Sequence, residues 1–306
     1  MTALRFGIDL GGTKIEAVAL DGAASLQGRH RVATPDASYE DTIDAIADAL
    51  TEVAHQAGAT PGRVGLCMPG ALSPITGLIC NAHATCLNGH ALDHDLETRL
   101  GIPTRLENDA NCFALAETQA GAAQGAEIVA GLIIGTGIGA GLIAHGRVLA
   151  GRNRIAGEWG HNPLPNPRLD EVPGPQCKCG RYGCIEAWCA GPGLAADHAR
   201  ETGMFVEPAE IAMAAAAGDA AAIDTLDRHA GRLGRAMAGL VNILDPDIIV
   251  LGGGLSNLPG LADRLATAMR PHIYSDSVLT EIRLNALGDS AGVIGAAWLW
   301  PEEETR

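Results

Sequence analysis

The sequence predicts an α/β protein built from two related halves. Residues 6–22 and 131–147 each consist of an apolar strand, a glycine cluster and a second apolar strand. This pattern is typical of a β-hairpin whose tip presents backbone N–H groups, which can bind phosphate oxygens. Strand and helix patterns alternate after the first hairpin, and the alternation starts again at the second, which indicates the α/β class.

The first half contains an amphipathic helix between Ser38 and Gly58, where apolar residues recur at helical spacing. Ser38 and Asp41 form its start signal, and Gly58 is its stop signal. The elements expected further along this half are a strand over 63–68, a short helix marked by Leu92, Leu96 and Leu100, a strand over 102–107 and an alanine-rich helix from Asn108 to about Ala123.

The second half contains a long segment without periodicity at 153–184, which is rich in Pro, Gly and Cys. It is too long for a plain connector, so we interpret it as a functional or metal-bound insertion. The elements expected after it are a helix over 221–244, a strand over 247–251, a third glycine cluster at 252–254, a helix from Leu258 and a closing segment over 290–300.

The glycine clusters do not fit the phosphate-binding motifs of two other folds. Gly135, Gly137 and Ala140 have the spacing of the dinucleotide fingerprint, but that motif opens a helix and here a strand follows. The first cluster is not a P-loop, because Lys14 follows Thr13 where Gly-Lys-Ser/Thr is required. A plain glycine-rich turn remains the alternative for either cluster taken alone.

Composition indicates a globular protein with room for two domains. The chain has 306 residues, of which 47% are hydrophobic and 19% charged. Its net charge of −15 argues against a nucleic-acid partner, because phosphate backbones are bound by clustered Lys and Arg. No signal-peptide pattern and no apolar run of about 20 residues occur, so we expect a cytoplasmic protein without a membrane partner.

Four residues form a candidate ligand set for structural zinc: His161, Cys177, Cys179 and Cys184. One imidazole and three thiolates fill a tetrahedral site, and Gly180 and Gly183 let the short loop turn around an ion. Free thiols and a disulfide are the alternatives, because Cys-x-Cys is not the spacing of a zinc finger. The other cysteines are interpreted as small apolar residues that fill space: Cys67, Cys80, Cys86, Cys112 and Cys189.

Six motifs resemble, in order, those of the ROK family of bacterial sugar kinases. They are DLGGTK at 9–14, NDAN at 108–111, GTGIG at 135–139, GEWGH at 157–161, CKCGRYGCIE at 177–186 and VLGGG at 250–254. The resemblance implies an actin-like, ribonuclease H-like α/β fold of duplicated domains with a cleft between them. The expected domains are 1–118, completed by 288–306, and 119–287, with a zinc-bound insertion at 153–186.

The family resemblance implies an ATP-dependent hexose kinase that transfers the γ-phosphate of MgATP to a sugar hydroxyl, C6 being expected. Residues 69–77, 87–89 and 161–165 resemble the fructokinase branch, so we expect a fructokinase with activity on mannose and glucose. An N-acetylglucosamine or N-acetylmannosamine kinase is the alternative. A sugar-sensing regulator is disfavoured, because those relatives carry an N-terminal helix-turn-helix and here the hairpin begins at Leu4. We also expect a homodimer.

The resemblance assigns a role to each motif residue. Asp109 is the catalytic base, although its place before a helix also suits an N-cap. The implied sugar contacts are Asn81, Asn108, Asp109, Glu158, His161 and Glu186, of which the two glutamates would otherwise be interpreted as surface residues. The implied contacts to ATP and Mg²⁺ are Asp9, Gly11, Gly12, Thr13, Lys14, Gly135, Thr136, Gly137, Gly139, Gly252, Gly253 and Gly254. Taken alone, Lys14 is either a phosphate ligand or a solvated residue, and 252–254 can be a plain turn.

Overall fold

The computed structural model describes residues 4–35, 38–82 and 84–301. These residues form two compact units. Unit 1 consists of the described residues of Met1–Gly125, Gly146–Ala156 and Ala286–Arg306, and unit 2 of Ala126–His145 and Gly157–Asn285. The ends of the predicted first domain, 1–3 and 302–306, lie outside the described residues. No helix of the described residues combines the length and the apolar character that crossing a membrane needs.

The strands alternate with helices along the chain. The strands are β1 (Arg5–Leu10), β2 (Lys14–Leu20), β3 (Leu26–Ala33), β4 (Val64–Met68), β5 (Ala71–Leu72), β6 (Ile79–Cys80), β7 (Thr104–Asn108), β8 (Ile128–Ile134), β9 (Ile138–Ala144), β10 (Arg147–Val148), β11 (Ile248–Gly252) and β12 (Glu281–Leu284). The α-helices are α1 (Tyr39–Ala57), α2 (Leu92–Leu100), α3 (Asp109–Ala120), α4 (Ile185–Cys189), α5 (Gly191–Thr202), α6 (Pro208–Ala216), α7 (Ala220–Leu244), α8 (Leu261–Met269) and α9 (Ala291–Ala297).

The two units repeat one sheet topology. In unit 1 the strand order is β3-β2-β1-β4-β7, with β1–β2 and β2–β3 antiparallel and β1–β4 and β4–β7 parallel. In unit 2 the strands run in the order β9-β8-β11-β12, again an antiparallel hairpin followed by parallel strands. Both predicted hairpins and the α/β class are therefore confirmed.

Helix α1 illustrates how local sequence signals set the element boundaries. The Ser38 hydroxyl accepts a hydrogen bond from the Asp41 N–H, which caps the first turn. Gly58 adopts a left-handed conformation with φ of 61°, and its N–H donates to carbonyls of the last turn. The buried face, which includes Ile46, Leu50 and Val53, packs into the core of unit 1. The predicted helix is confirmed at both ends.

Helix α9 packs closely against the sheet of unit 1 because two strand glycines leave room for its backbone. A Cβ on Gly7 of β1 would lie 2.4 Å from the Val293 carbonyl oxygen, and one on Gly65 of β4 would lie 1.9 Å from that of Ala296. Neither Gly7 nor Gly65 could therefore carry a side chain without a clash with the α9 backbone. The C-terminal segment is thereby part of the first unit's core.

The tryptophans after α9 pack against arginines of unit 1. The Arg5 guanidinium lies 4.0 Å from the Trp298 ring centroid, and that of Arg105 lies 3.9 Å from the centroid of Trp300. The Trp300 indole N–H donates to the Val64 carbonyl at 2.9 Å. These contacts give both rings a packing role in the first unit.

A buried ionic network anchors the insertion of unit 2 to helix α7. The Glu171 carboxylate, which is 2% exposed, pairs with Arg232 at 2.9 Å and with Arg235 at 2.6 Å. Burial raises the pKa of Glu171, but the Arg168 backbone N–H and the two guanidinium groups outweigh it and hold the pKa at about 2. Asp197 of α5 also pairs with Arg232, at 2.8 Å. The insertion thus has a fixed attachment despite its lack of periodicity.

Strands β3 and β12 were missing from the sequence-based expectation, and helix α8 begins later than predicted. Both strands are edge strands whose residues are largely exposed, so they lack the apolar pattern that reveals a strand. Helix α8 starts at Leu261 and not at Leu258, because a 3₁₀ turn at Gly254–Asn257 and the left-handed Gly260 precede it.

Candidate active site

The first glycine loop lies at the tip of the β1–β2 hairpin. The Gly11 N–H donates to the Lys14 carbonyl at 2.9 Å, and the Thr34 hydroxyl donates to the Gly11 carbonyl at 2.8 Å. A Cβ on Gly11 would lie 2.9 Å from the Lys14 oxygen, so the closed tip requires glycine. Gly12 and Thr13 are exposed at this tip. Such a turn can offer backbone N–H groups to an anion.

Asp9 is the second-last residue of β1, the strand that leads into this loop. It pairs in register with Cys67 of the parallel strand β4, and a Cβ on Gly292 would lie 3.1 Å from Asp9 Oδ2 and 3.2 Å from Cys67 Sγ. Burial raises the pKa of Asp9 most, the Glu16 and Asp109 carboxylates add to the rise, and a hydrogen bond from the Cys67 thiol opposes it. A cation beside Asp9 would stabilise its ionised form.

Asp109 occupies the first position of helix α3. The Asn108 side chain is the N-cap, with its Oδ1 accepting from the Ala110 N–H at 2.9 Å. The Asp109 Oδ1 accepts from the same N–H at 2.9 Å, and the residue is exposed. The capping role considered for Asp109 therefore belongs mainly to its neighbour, which leaves the Asp109 carboxylate at the surface of the first unit.

Asn108 also connects the start of α3 to the loop that carries Asn81. Its Nδ2 donates to the Gly70 carbonyl at 3.1 Å. Gly70 has φ of 129°, and a Cβ on it would lie 3.0 Å from the Cα of Ala82. Asn81, with φ of 58°, precedes that contact and is exposed. Glycine at position 70 thus lets these two asparagines of unit 1 share one neighbourhood.

The second glycine loop is held by partners distant in sequence. The Gly135 N–H donates to the Gly137 carbonyl at 2.9 Å, and the Gly191 N–H donates to the Gly135 carbonyl at 2.8 Å. The Ile138 N–H donates to Glu186 Oε2 at 2.9 Å. A Cβ on Gly137 would lie 2.9 Å from that same oxygen, so glycine lets the carboxylate reach the loop.

The other predicted nucleotide contacts of unit 2 lie at the loop tip, inside the sheet and at the end of β11. Thr136 is exposed at the loop tip, whereas Gly139 is paired with Ile133 inside the β8–β9 ladder. At the end of β11, a Cβ on Gly253 would lie 2.5 Å from the Ile134 carbonyl oxygen, and the Gly254 nitrogen is 4.0 Å from the Cβ position of Gly135. The second and third glycine clusters therefore lie side by side.

The four predicted zinc ligands converge in unit 2. One ligand atom from each of His161, Cys177, Cys179 and Cys184 lies within 4.8 Å of all the others. His161 Nδ1 lies 3.5 Å from Cys177 Sγ. Gly180 and Gly183 have φ of 86° and 70°, as the tight loop requires.

Charge around the cluster favours thiolate formation at one cysteine. A hydrogen bond from the Arg181 side chain lowers the pKa of Cys179 to about 6, whereas burial raises the pKa of Cys184 to about 12. A bound cation would favour the ionised form of both, because thiolates are the metal-ligating form. Three sulfur donors and one imidazole fit tetrahedral zinc.

The predicted sugar-binding residues Glu158 and Glu186 both lie beside His161, the third predicted sugar contact of unit 2 and a member of this cluster. Glu186 Oε1 lies 4.0 Å from His161 Nδ1, and Glu158 Oε2 lies 4.0 Å from His161 Nε2. The Glu186 side chain is 9% exposed and that of Glu158 is 60% exposed. The interpretation of Glu186 as a surface residue, made without the family, was wrong, because Ile138 and Lys178 supply the partners that burial requires.

Sequence reasoning missed two contacts beside these sites. Cys67 is buried, as expected for a filler, but its thiol also lies beside Asp9 and lowers the pKa of that carboxyl. Lys178 Nζ lies 3.3 Å from Glu186 Oε1. Asp9 and Cys67 are 58 residues apart, and Lys178 and Glu186 are 8 apart, so neither contact follows from a local spacing rule. The register of β1 with β4 explains the first contact.

Comparison with known proteins defines the class. A family model described as the ROK family matches residues 5–303. The chain is 36% identical to an N-acetyl-D-glucosamine kinase from Escherichia coli O6:H1 (298 residues; 96% of this chain, 98% of that protein). It is also 36% identical to the N-acetylgalactosamine kinase AgaK from Shewanella sp. strain ANA-3 (296 residues; 96% of each).

Solved structures of ROK kinases are also similar to this chain. A ROK hexokinase from Thermus thermophilus superposes with a TM-score of 0.89 at 36% identity, covering 99% of each chain. A ROK glucokinase from Streptomyces griseus, in complex with glucose and AMPPNP, has a TM-score of 0.74 at 30% identity, covering 98% of this chain and all of that one. The protein is therefore a carbohydrate kinase with an actin-like fold. It belongs to the ROK family.

Proposed function

We propose that the protein is an ATP-dependent N-acetylhexosamine kinase that phosphorylates the C6 hydroxyl. The observation that carries this proposal is the 36% identity, over 96% of the chain, to curated relatives named as N-acetylglucosamine and N-acetylgalactosamine kinases. The fructokinase specificity expected from residues 69–77 and 87–89 has no such support among these relatives. An N-acetylhexosamine kinase is therefore preferred to a fructokinase.

Asp109 is the proposed general base. As the sugar hydroxyl oxygen attacks the γ-phosphorus, the Asp109 carboxylate accepts the hydroxyl proton, and the bond from phosphorus to the ADP oxygen breaks. The exposed position of Asp109 at the start of α3, with Asn108 as the N-cap, supports this role. Asn81 and Asn108 are the proposed amide partners of sugar hydroxyls on this unit.

The glycine loops are the proposed phosphate sites. Their exposed tips provide backbone N–H groups, together with the hydroxyls of Thr13 and Thr136. Asp9 is the proposed anchor for Mg²⁺, directly or through water, since burial raises the pKa of its carboxyl and a bound cation would favour the ionised form. Lys14 neutralises phosphate charge, and glycines 252–254 lie beside the base and ribose.

Glu158, His161 and Glu186 are the proposed partners of the sugar hydroxyls on unit 2. His161 and the three cysteines would hold zinc, and because four protein ligands leave no open position for substrate, the metal would have a structural role and supply no step of the reaction. Its proposed effect is to fix His161 through Nδ1, so that Nε2 keeps its orientation beside Glu158.

An unmodified hexose is the second candidate substrate. It is favoured by the T. thermophilus structure, whose protein is named a hexokinase at 36% identity over 99% of this chain. The two candidates differ by an acetamido group at C2, and one pocket contact changes discrimination by only about 10- to 200-fold. Turnover of both classes with unequal efficiency is therefore compatible with either assignment.

The test is kcat/KM, from ADP release with MgATP, for N-acetylglucosamine, N-acetylgalactosamine, N-acetylmannosamine, glucose, mannose and fructose. Protein carrying Asp109→Asn, purified in parallel, is the control for contaminating kinases. An acetylated sugar is expected to give the highest value. If an unmodified hexose exceeds all three acetylated sugars, the specificity proposal fails. If no sugar releases ADP above the control, the catalytic proposal fails.

A further inference from the structure

The chain uses lysine at only two positions. Of its 21 basic Lys and Arg residues, 19 are arginine, and the two lysines are Lys14 and Lys178. Lys14 opens β2 directly after the first glycine loop. Lys178 lies 41 residues beyond Gly137 in the sequence, yet its Nζ is 3.5 Å from the Cβ position of Gly137 in the second loop. Both lysines of the chain therefore lie at a glycine loop.

One buried carboxylate holds Lys178 in this position. Glu186 Oε2 accepts from the Ile138 N–H at 2.9 Å, and Glu186 Oε1 lies 3.3 Å from Lys178 Nζ. The loop backbone and the ammonium group thus share one side chain that is 9% exposed. The Lys178 side chain is 62% exposed. Its ammonium group has three N–H donors, and the pair with Glu186 uses one of them.

The second glycine loop lies near acidic side chains, so a cation is needed there to offset their repulsion of an anion. Glu158 and Glu186 both lie close to the His161 ring, and the chain as a whole carries a net charge of −15. A polyphosphate approaching the second loop therefore meets like charge. An ammonium group is a compact point charge with rotatable donors, which suits a phosphate that is already bound by backbone N–H groups.

We propose that Lys178 binds a terminal phosphate of the nucleotide at the second glycine loop. This inference rests on the proposed kinase function and adds to it a phosphate ligand carried by the cysteine-rich loop. The loop that holds the structural metal thereby also supplies charge to the phosphate site of the same unit. The competing role is purely local: Lys178 would only orient Glu186, and through it the sugar.

The two roles differ in which ligand they affect. A phosphate ligand changes the affinity for MgATP in the absence of sugar and leaves AMP binding unchanged, because AMP lacks the terminal phosphates. A residue that only orients Glu186 changes sugar affinity and leaves MgATP unchanged. Lys178→Met removes the charge and keeps the length of the side chain. Arg154→Met is the matched control, because it removes an exposed cation from the same insertion.

Isothermal titration calorimetry with MgATP, AMP and N-acetylglucosamine, each alone, provides the measurement, with the zinc content of each protein determined in parallel. We expect Lys178→Met to weaken MgATP binding about tenfold, the effect of a charge-assisted hydrogen bond reduced by solvent exposure. AMP and sugar affinities should stay within about twofold of wild type, as should all three affinities of Arg154→Met. Lys178→Gln must show the same selective loss, which separates lost charge from lost packing.

Unchanged MgATP affinity in both Lys178 variants overturns the inference. So does an equal loss for MgATP and AMP, or a loss confined to the sugar. These outcomes are distinguishable from failure of the proposed function, which is decided by ADP release from the wild-type protein in the sugar panel.

Discussion

The two glycine hairpins share a backbone pattern but differ in what holds their tips. The first tip is closed within its own sheet, by Gly11 bonding to Lys14 and by the Thr34 hydroxyl. The second is tied to elements that follow it, through the Gly191 N–H and the Glu186 carboxylate. The same hairpin shape is therefore stabilised by different partners in the two units. The first loop is self-contained, whereas the second depends on the cysteine-rich segment.

The carboxylates beside the two loops differ in the same way. Asp9 is partly buried with a raised pKa, and the hydrogen bond from Cys67 offsets only part of the cost of burial. Glu186 has the Ile138 N–H on one oxygen and Lys178 on the other. Asp9 therefore suits a site completed by a metal ion, whereas Glu186 already has its protein partners. Unit 1 is expected to carry the chemistry and unit 2 the positioning.

The largest expected effect is at Asp109 of unit 1. Asp109→Asn removes the proton acceptor but keeps an oxygen for the Ala110 N–H, so kcat should fall by about 10²- to 10⁴-fold without loss of the fold. Steady-state kinetics and circular dichroism check it. Asp93→Asn is the matched control, because Asp93 also accepts from the next N–H at a helix start. A kcat above about a tenth of wild type would exclude Asp109 as the base.

The zinc ligands should give an intermediate effect, expressed in sugar binding. We expect close to one zinc per chain, and we expect Cys179→Ser to lower the Tm and to raise KM for the sugar about 10- to 100-fold, because the metal orients His161. Elemental analysis of protein purified without chelators or a metal-affinity tag gives the stoichiometry. Cys86→Ser, in unit 1, should change neither property. A zinc content near zero in wild-type protein contradicts the proposal.

The smallest expected effect is a gain in thermal stability when the Asp9 carboxyl is replaced by an amide. Because its pKa is raised in the folded protein, the ionised carboxylate costs stability once the pH rises through that pKa. Asp9→Asn should therefore raise the Tm by about 2 °C at about pH 7 and by less at about pH 4, while weakening MgATP binding. Thermal denaturation at both pH values checks the sign. A Tm that falls at neutral pH would show that the ionised form is stabilised instead.

The sequence was sufficient for features that local chemistry encodes. Both hairpins, the capped ends of α1 and the convergence of His161 with three cysteines follow from residue type and short spacing, and the structure confirms them. The α/β class follows from the alternation of elements, and the ROK family model confirms the resemblance drawn from the motifs. Edge strands β3 and β12 were missed because solvent, and not a core, faces much of their surface.

Long-range pairings were not accessible from the sequence. The Glu171 pairs with Arg232 and Arg235 depend on where an aperiodic insertion returns to α7, and no local spacing encodes that path. Glu186 looked like a surface residue because its partners come from a loop 48 residues away and from a lysine inside the cysteine motif. The domain bounds, the individual roles of site residues and the homodimer stay predictions.

Hydrogen–deuterium exchange tests most directly the claim that the second loop alone depends on the cysteine-rich segment. Peptides covering 9–14 and 135–140 are compared between wild-type protein and Cys179→Ser, both without ligands. We predict faster exchange at the Ile138 amide, whose Glu186 acceptor lies two residues beyond Cys184, and unchanged exchange at the Gly11 amide. Equal acceleration of both peptides, or of neither, would contradict the account.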